Sequence, residues 1–339
     1  MFRKVVLSLF GLILYTTATA FPLCMYSVND PKDIRTLKKA GFTCLQTYKT
    51  DPELLAQLAQ QAQKYGLQVV FYPNKIIGSA YEQQARTWPV LAWYLVDEPD
   101  VNHWSRERVA QAHQQAKDIF PNHQNAFVIG QGKTDIPFYD LADILMVDWY
   151  PVPHLALSSL GDNVHWAKEG QKTYGAAHKP LWAVVQSFDW KQFKQYRPDN
   201  ERIGRFPTQE ELRFMVYDAV LNGADGIFYF TFNYEKQPLP HIKPELWARV
   251  HNVNKELAKL LPVLEKGKII PCPVDTAYPL VVQTRIYKNH RYTILANRSD
   301  KPVATPPSFL TKTYKPLFGT SKTPQVPPYA VWVLKSKDK

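Results

Sequence analysis

"LLAQLAQQAQKYGLQVVFYPN", Leu54 to Asn74, carries one complete structural unit. Leu54, Leu55, Leu58, Ala59, Ala62 and Tyr65 recur at helical spacing and so share one apolar face. Gly66 stands where a helix ends in a left-handed residue, which glycine adopts without steric cost. A short apolar run rich in β-formers follows at once, and Gln68–Tyr72 reads as a strand. So short a link between helix and strand implies a βα unit in a parallel sheet. The same order recurs in "IRTLKKAGFTCLQTY", Ile34 to Tyr48, and in "ELRFMVYDAVLNGADGIFYFTF", Glu211 to Phe232.

Working outward from this unit, the strands read as Leu23–Val28, Cys44–Tyr48, Gln68–Tyr72, Leu91–Val96, Ala126–Gly130, Ile144–Asp148, Leu181–Gln186 and Gly226–Thr231. An amphipathic helix, "PELWARVHNVNKELAKLLPVLE", follows the eighth. Eight such units predict a (β/α)8 TIM barrel over residues 21–265. A doubly wound open sheet is the competing architecture. It usually places a glycine-rich phosphate loop after the first strand, and "MYSVNDPKD" contains no glycine. Beyond Leu264 the helical period stops. "YPLVVQTRIYKNHRYTILANRSD" and "YAVWVLK" alternate like strands among many prolines, so 266–339 reads as a small antiparallel all-β domain.

The N-terminus has the pattern of a secretory leader: "MFRK", an apolar run from Val5 to Tyr15, then Ala18-Thr19-Ala20 as a cleavage site. Residues 1–20 are therefore expected to be removed and the mature chain to be secreted or periplasmic. The apolar run is short for a bilayer span of roughly 20 residues, so no stable membrane anchor is expected. The formal net charge is +11, and Arg3 and Lys4 of the leader contribute two of those charges. No basic run is interleaved with aromatic residues as a nucleic-acid groove requires, which argues against a nucleic-acid partner. Three cysteines make no disulfide framework. Cys24 and Cys44 fall on neighbouring strands, which suits a disulfide and two buried thiols equally; Cys272 has no evident partner. No Cys/His spacing fits zinc, and no metal or cofactor is expected.

In such barrels the loops after the strands converge on one rim, and chemistry sits there. The second strand ends in Gln46 and Tyr48, the third in Tyr72 and Asn74, the fourth in Asp97 and Glu98, and the fifth in Gln131. The sixth ends in Asp148, Trp149 and Tyr150, the seventh in Gln186, Phe188, Asp189 and Trp190, and the eighth in Phe232, Asn233 and Tyr234. Rings mixed with amides and carboxylates suit a sugar, whose C–H faces stack and whose hydroxyls need donors and acceptors. The substrate-binding candidates are thus Tyr48, Tyr72, Trp149, Tyr150, Gln186, Trp190, Asn233 and Tyr234. Glu98, Asp97 and Asp148 are the catalytic candidates. Two neighbouring carboxylates repel, so one holds its proton towards neutral pH, as a general acid must. Glu98 and Asp100 also suit a helix N-terminus with Pro99 in its first turn.

"VLAWYLVDEPD", Val90 to Asp100, resembles the fourth-strand signature of retaining clan-A glycoside hydrolases, in which a strand ends in Asn-Glu-Pro and the Glu is the acid/base. "RFPTQEELRFMVYDAVLNGADGIFYFTF" is similar to the last helix–strand pair of related barrel glycosidases and their uncharacterised bacterial relatives, and "PLWAVVQSFDW" to their seventh strand. The resemblance covers about residues 23–265 and implies that Glu98 is the general acid. Two positions depart from it. Asp97 replaces the Asn, and Gln186 stands where the clan carries its nucleophilic Glu. An amide cannot form a glycosyl ester, so the nucleophile does not carry over. Three readings follow. Glu98 works with Asp148 or Asp189 by inversion; or Asp97 and Tyr150 orient a 2-acetamido group that attacks in place of an enzyme carboxylate; or the barrel binds carbohydrate without turnover. Among the histidines only His154 falls near the rim. Arg197, Arg202 and Arg205, in the Trp190–Pro207 loop, suit an anionic glycan if that loop covers the cleft.

Overall fold

The computed structural model describes residues 21–133, 135–196, 204–234, 236–318 and 322–338, with backbone only for 194–196. The leader, Arg197 and Arg202 lie outside the described residues. The eight expected strands are β1 (Leu23–Met25), β2 (Cys44–Gln46), β3 (Gln68–Phe71), β4 (Val90–Asp97), β5 (Asn125–Ile129), β6 (Ile144–Trp149), β7 (Leu181–Gln186) and β8 (Gly226–Phe230). They pair in sequence order, all parallel, and β8 returns to β1 to close the barrel. The (β/α)8 TIM barrel read from the sequence is the fold observed.

The outer layer is α1 (Ile34–Lys39), α2 (Pro52–Tyr65), the short α3 (Glu82–Ala85), α4 (Arg106–Ile119), α5 (Ser159–Thr173), α6 (Gln209–Leu221), and, after β8, the short α7 (Leu239–Ile242) and long α8 (Pro244–Lys266). Among the described residues, turns rather than a helix join β5 to β6. α2 shows why these boundaries form. The Asp51 carboxylate accepts from the Leu54 N–H at 2.8 Å, Pro52 opens the first turn, and Gly66 closes the helix at φ 64°. Leu55, Leu58, Ala59 and Ala62 are its buried face. A short hairpin, β9 (Asn233–Tyr234) with β10 (Gln237–Pro238), follows β8.

Strand alternation divides the apolar residues into two cores. Leu45, Val69, Trp93, Phe127, Leu145, Ala183 and Ile227 pack outward against the helices. Cys24, Cys44, Val70, Ala92, Ala126, Ile144, Met146, Trp182, Val184 and Phe228 fill the barrel interior. Cys24 and Cys44 are register partners on β1 and β2, fully buried, and joined as a disulfide with Cα atoms 4.5 Å apart. The sequence left open whether these thiols pair; the shared register brings them together.

After the barrel come β11 (Lys268–Ile270), β12 (Leu280–Tyr287), β13 (His290–Asn297), β14 (Val303–Ala304), the short α9 (Pro307–Leu310), β15 (Lys315–Pro316), β16 (Gln325–Val326) and β17 (Val331–Lys337). They form an antiparallel sheet in the order β11-β12-β13-β17-β15, with β14 and β16 as a separate pair. One sheet face makes a small core of Leu280, Leu295, Phe309, Val326, Trp332 and Leu334. On the other face Ile294, Ala296, Val331 and Val333 join the core of the barrel. Arg298 fastens the two parts. It donates to both carboxylate oxygens of Asp218 (2.8 and 3.2 Å), to Asp162 (2.8 Å) and to the Ser158 carbonyl (2.7 Å).

Candidate active site

The end of β4 places two consecutive acids on one side. In a regular strand Asp97 and Glu98 would point to opposite faces. Here the pairing of β4 with β5 shifts register between Tyr94 and Asp97, and Glu98 turns into the left-handed region at φ 43°. A non-glycine residue held there is strained, and such strain concentrates at functional sites. Asn102 fixes the turn by donating to the Asp97 carbonyl at 3.0 Å and the Glu98 carbonyl at 3.1 Å. The Glu98 carboxyl lies over Gly130. A Cβ at Gly130 would stand 3.3 Å from that carboxyl and 2.6 Å from Val101 Cγ2, so a side chain there would displace both. Asp100 has a different task. Its carboxylate accepts from the Gly130 and Gln131 N–H groups, each at 3.0 Å, and ties this loop to the end of β5.

Asp148, at the end of β6, meets Glu98 across the mouth. The two carboxyls neighbour each other, and Asp148 accepts from the Tyr150 hydroxyl at 2.9 Å. Burial pushes Asp148 well above the carboxylate range, and the charges of Glu98 and Asp97 add to the rise. Glu98 is raised for the same first reason, and then by Asp97. Two buried, neighbouring carboxyls resist ionising together, and the stronger rise places the proton on Asp148, the more deeply buried partner. Asp97 is raised by burial as well, while phenol hydrogen bonds from Tyr94, at 2.5 Å, and Tyr48 oppose the rise. Among the described residues no lysine, arginine or histidine forms an ion pair with these three acids.

Aromatic rings surround the carboxyls. Tyr72 meets Tyr94 edge-on at 5.0 Å, and Tyr48, 39% exposed, stands at the mouth 6.4 Å from Tyr72. Phe230 is the hub. It stacks with Tyr150 at 5.6 Å and with Phe193 at 5.9 Å, and meets Tyr26, Tyr48 and Phe188 edge-on. Trp190 joins this group through Tyr150 and Phe188, and His154 lies 5.9 Å from Trp190.

No known family profile matches the chain, and no curated protein sequence matches it. Solved structures do match along nearly the whole length. Eubacterium rectale Amy13B shares 9% identity at a TM-score of 0.60, with 94% of this chain and 96% of that one covered. A glycoside hydrolase family 5 protein from Bacteroides vulgatus shares 13% at 0.59, covering 94% and 89%. A GH30 endoxylanase from Clostridium papyrosolvens shares 11% at 0.54, covering 94% and 97%. The likeness is one of fold. The chain shares with them the (β/α)8 barrel.

The structure gathers Asp97, Glu98, Asp148, Tyr48, Tyr72, Tyr150 and Trp190 at one mouth. The other four candidates stand elsewhere. Gln186 is fully buried; its amide donates to the Val152 and Phe188 carbonyls (2.8 and 3.2 Å) and accepts from the Val152 N–H (2.8 Å). It pins the segment after β6 and has no free edge for a sugar. Trp149 alternates outward from Asp148, packs with the outer core and donates to the Ser159 hydroxyl at 2.9 Å. Tyr234 packs with Leu239, Leu246 and Phe206 in a side cluster beyond β8. The Asn233 amide donates to the Ser27 carbonyl and joins two loops. Asp189 is buried and accepts from the Lys191 N–H at 2.9 Å, closing a turn. Arg205 forks onto Glu211, both bonds 2.6 Å, and so is engaged away from the acids. Sequence reasoning passed over Tyr26, Tyr94 and Phe230. Their signal was alternation: Tyr94 lies two residues beyond inward Ala92, Tyr26 two beyond Cys24, and Phe230 two beyond Phe228.

Proposed function

We propose that this chain is an exported glycoside hydrolase acting on an oligo- or polysaccharide, with Glu98 as general acid. The observation that carries the reading is the neighbouring pair of buried carboxyls, Glu98 and Asp148, both raised by burial and set inside an aromatic mouth. Asp148 is buried; Glu98 is half-buried and faces outward more. Glu98 therefore delivers the proton to the leaving glycosidic oxygen, and Asp148 hands its own proton on to Glu98. Their raised pKa values keep that proton available towards neutral pH.

The same pair limits the rest of the mechanism. Inverting pairs stand about 6.5–9.5 Å apart and retaining pairs about 5–5.5 Å. Asp148 crowds Glu98, whose charge adds to its raised value, so in this reading it serves as proton partner of the acid and not as the base across the ring. Gln186 supplies no nucleophile. The attacking oxygen then belongs to water or to the substrate's own 2-acetamido carbonyl, with Asp97, held by Tyr94 and Tyr48, as the carboxylate that orients it. Export is supported by the leader-like N-terminus and by the Cys24–Cys44 disulfide, a bond that persists in oxidising compartments.

A carbohydrate-binding protein without turnover is the second reading. The closed ring contacts around Phe230 and the spent amide of Gln186 favour it. Mature wild type and Glu98→Gln are incubated with a glycan panel that includes N-acetylated sugars, and the product anomer is read by NMR. Cleavage lost on Glu98→Gln supports the enzyme; retained configuration points to the acetamido route and inversion to water. Binding without cleavage by wild type establishes the second reading, and cleavage unaffected by Glu98→Gln removes Glu98 from the mechanism.

A further inference from the structure

Outside the carboxyl cluster a groove follows the seam between barrel and β domain. Its first part, a cavity of about 270 Å³, is walled by Val152, Pro153 and Leu155, the residues just after Tyr150, and by Tyr329 of the β domain. Its second part, about 580 Å³, has Gln209, Arg213, Asn252, Glu256, Phe318 and Tyr329 among its walls. Glu210 and Tyr329 border both parts, so the two adjoin. The groove thus begins on the loop that carries Tyr150, the hydroxyl that holds Asp148, and leads away along α6.

The walls have a consistent chemistry. Tyr329 is held at φ 51° with its ring against Phe214 at 5.1 Å. Arg213 is anchored twice: Nε donates to the Glu256 carboxylate at 2.8 and 3.1 Å, and Nη1 to the Val331 carbonyl at 2.6 Å. Its Nη2 is buried and has no acceptor among the described residues. Glu256 pairs with Arg213 and Glu211 with Arg205, while Glu210 adds a carboxylate to both parts, so the groove offers no net positive charge to a phosphate or carboxylate. The Asn252 amide donates to Gln209 at 3.4 Å and adds neutral polar groups to one wall. A ring edge, the Glu210 carboxylate as an acceptor for hydroxyls, and amides in a volume of this size suit a neutral sugar.

We propose that this seam groove is a binding subsite for the extending chain of a neutral oligo- or polysaccharide, so that long substrates are held at the seam as well as at the mouth. The proposal rests on the glycosidase reading above. It is tested on the full mature chain carrying Glu98→Gln to prevent turnover. Affinities for xylo-, malto-, cello- and chito-hexaoses and for the matching disaccharides are measured by calorimetry. Tyr329→Ala and, separately, Asn252→Trp are added; Asn252 is exposed, and a Trp there obstructs the groove without removing buried packing. The expected result is a loss of at least tenfold for the bound hexaose in both variants, with the disaccharide within twofold. Full hexaose affinity in Asn252→Trp overturns the groove and leaves the glycosidase reading standing. If wild type neither binds nor cleaves any member of the panel, that reading fails and the groove falls with it.

Discussion

Replacing Arg298 by Met tests how the β domain is held to the barrel. Arg298 is 9% exposed and Asp218 fully buried, and the guanidinium donates to Asp218, Asp162 and the Ser158 carbonyl. Methionine keeps much of the side-chain volume and removes every donor. Breaking a buried pair from one side costs about 3–5 kcal/mol, because the remaining charge has no compensation. That corresponds to a fall of about 6–10 °C in Tm. The loss should depend on pH. Burial raises Asp218 to about 7 even with Arg298 opposing the rise. An acid raised on folding takes up protons in the folded state between its unfolded value of 3.8 and about 7, so its contribution to stability falls as pH rises through that window. Without Arg298 the acid rises further, and the variant suffers more at pH 8 than at pH 5. Adding Asp218→Asn to Arg298→Met removes the stranded charge and recovers part of the loss at pH 8. Urea midpoints and thermal scans at both pH values measure this. A variant within 1 kcal/mol of wild type, flat with pH, would refute the reasoning.

Three further outcomes follow from the site. Asp148→Asn removes a buried, charge-crowded acid: urea midpoints at pH 8 should rise, while glycan hydrolysis falls by about 10²–10⁴, the range of a lost proton-transfer group. Gln186→Glu should create no retaining enzyme. It swaps the amide that donates to the Val152 carbonyl for a carboxylate facing it, so stability falls by about 1–3 kcal/mol with no gain in rate; a faster variant would contradict the account. Removing the Cys24–Cys44 bond as a double Ala variant should cost about 3 kcal/mol from the closed loop alone, given a sequence separation of 20, with the lost side-chain packing added to it.

The barrel was legible because its code is local and repeated. Helix period, Gly66 and the strand that follows are written in adjacent residues, and counting such units yields the closed sheet. The site was legible only in part. Glu98 and Asp148 were found because they end strands. That Asp97 shares their mouth depends on a register shift and a left-handed Glu98, which an alternating pattern does not announce. Trp149 was misplaced for the converse reason: alternation holds at the end of β6, so the neighbour of inward Asp148 faces the helices. Gln186 does stand at an inward strand end, and its tie to Val152, 34 residues earlier in the chain, is a tertiary contact that no local spacing encodes.

The central claim is that Glu98 donates the proton to the leaving oxygen. Its most direct measurement compares Glu98→Gln with wild type on glycosides of one sugar whose leaving groups differ in acidity. A dinitrophenol leaves without help, whereas an alcohol or a second sugar needs a proton. The account predicts a loss of about 10²–10⁴ on the poor leaving groups and less than about tenfold on the dinitrophenyl glycoside. Equal losses on both would contradict it.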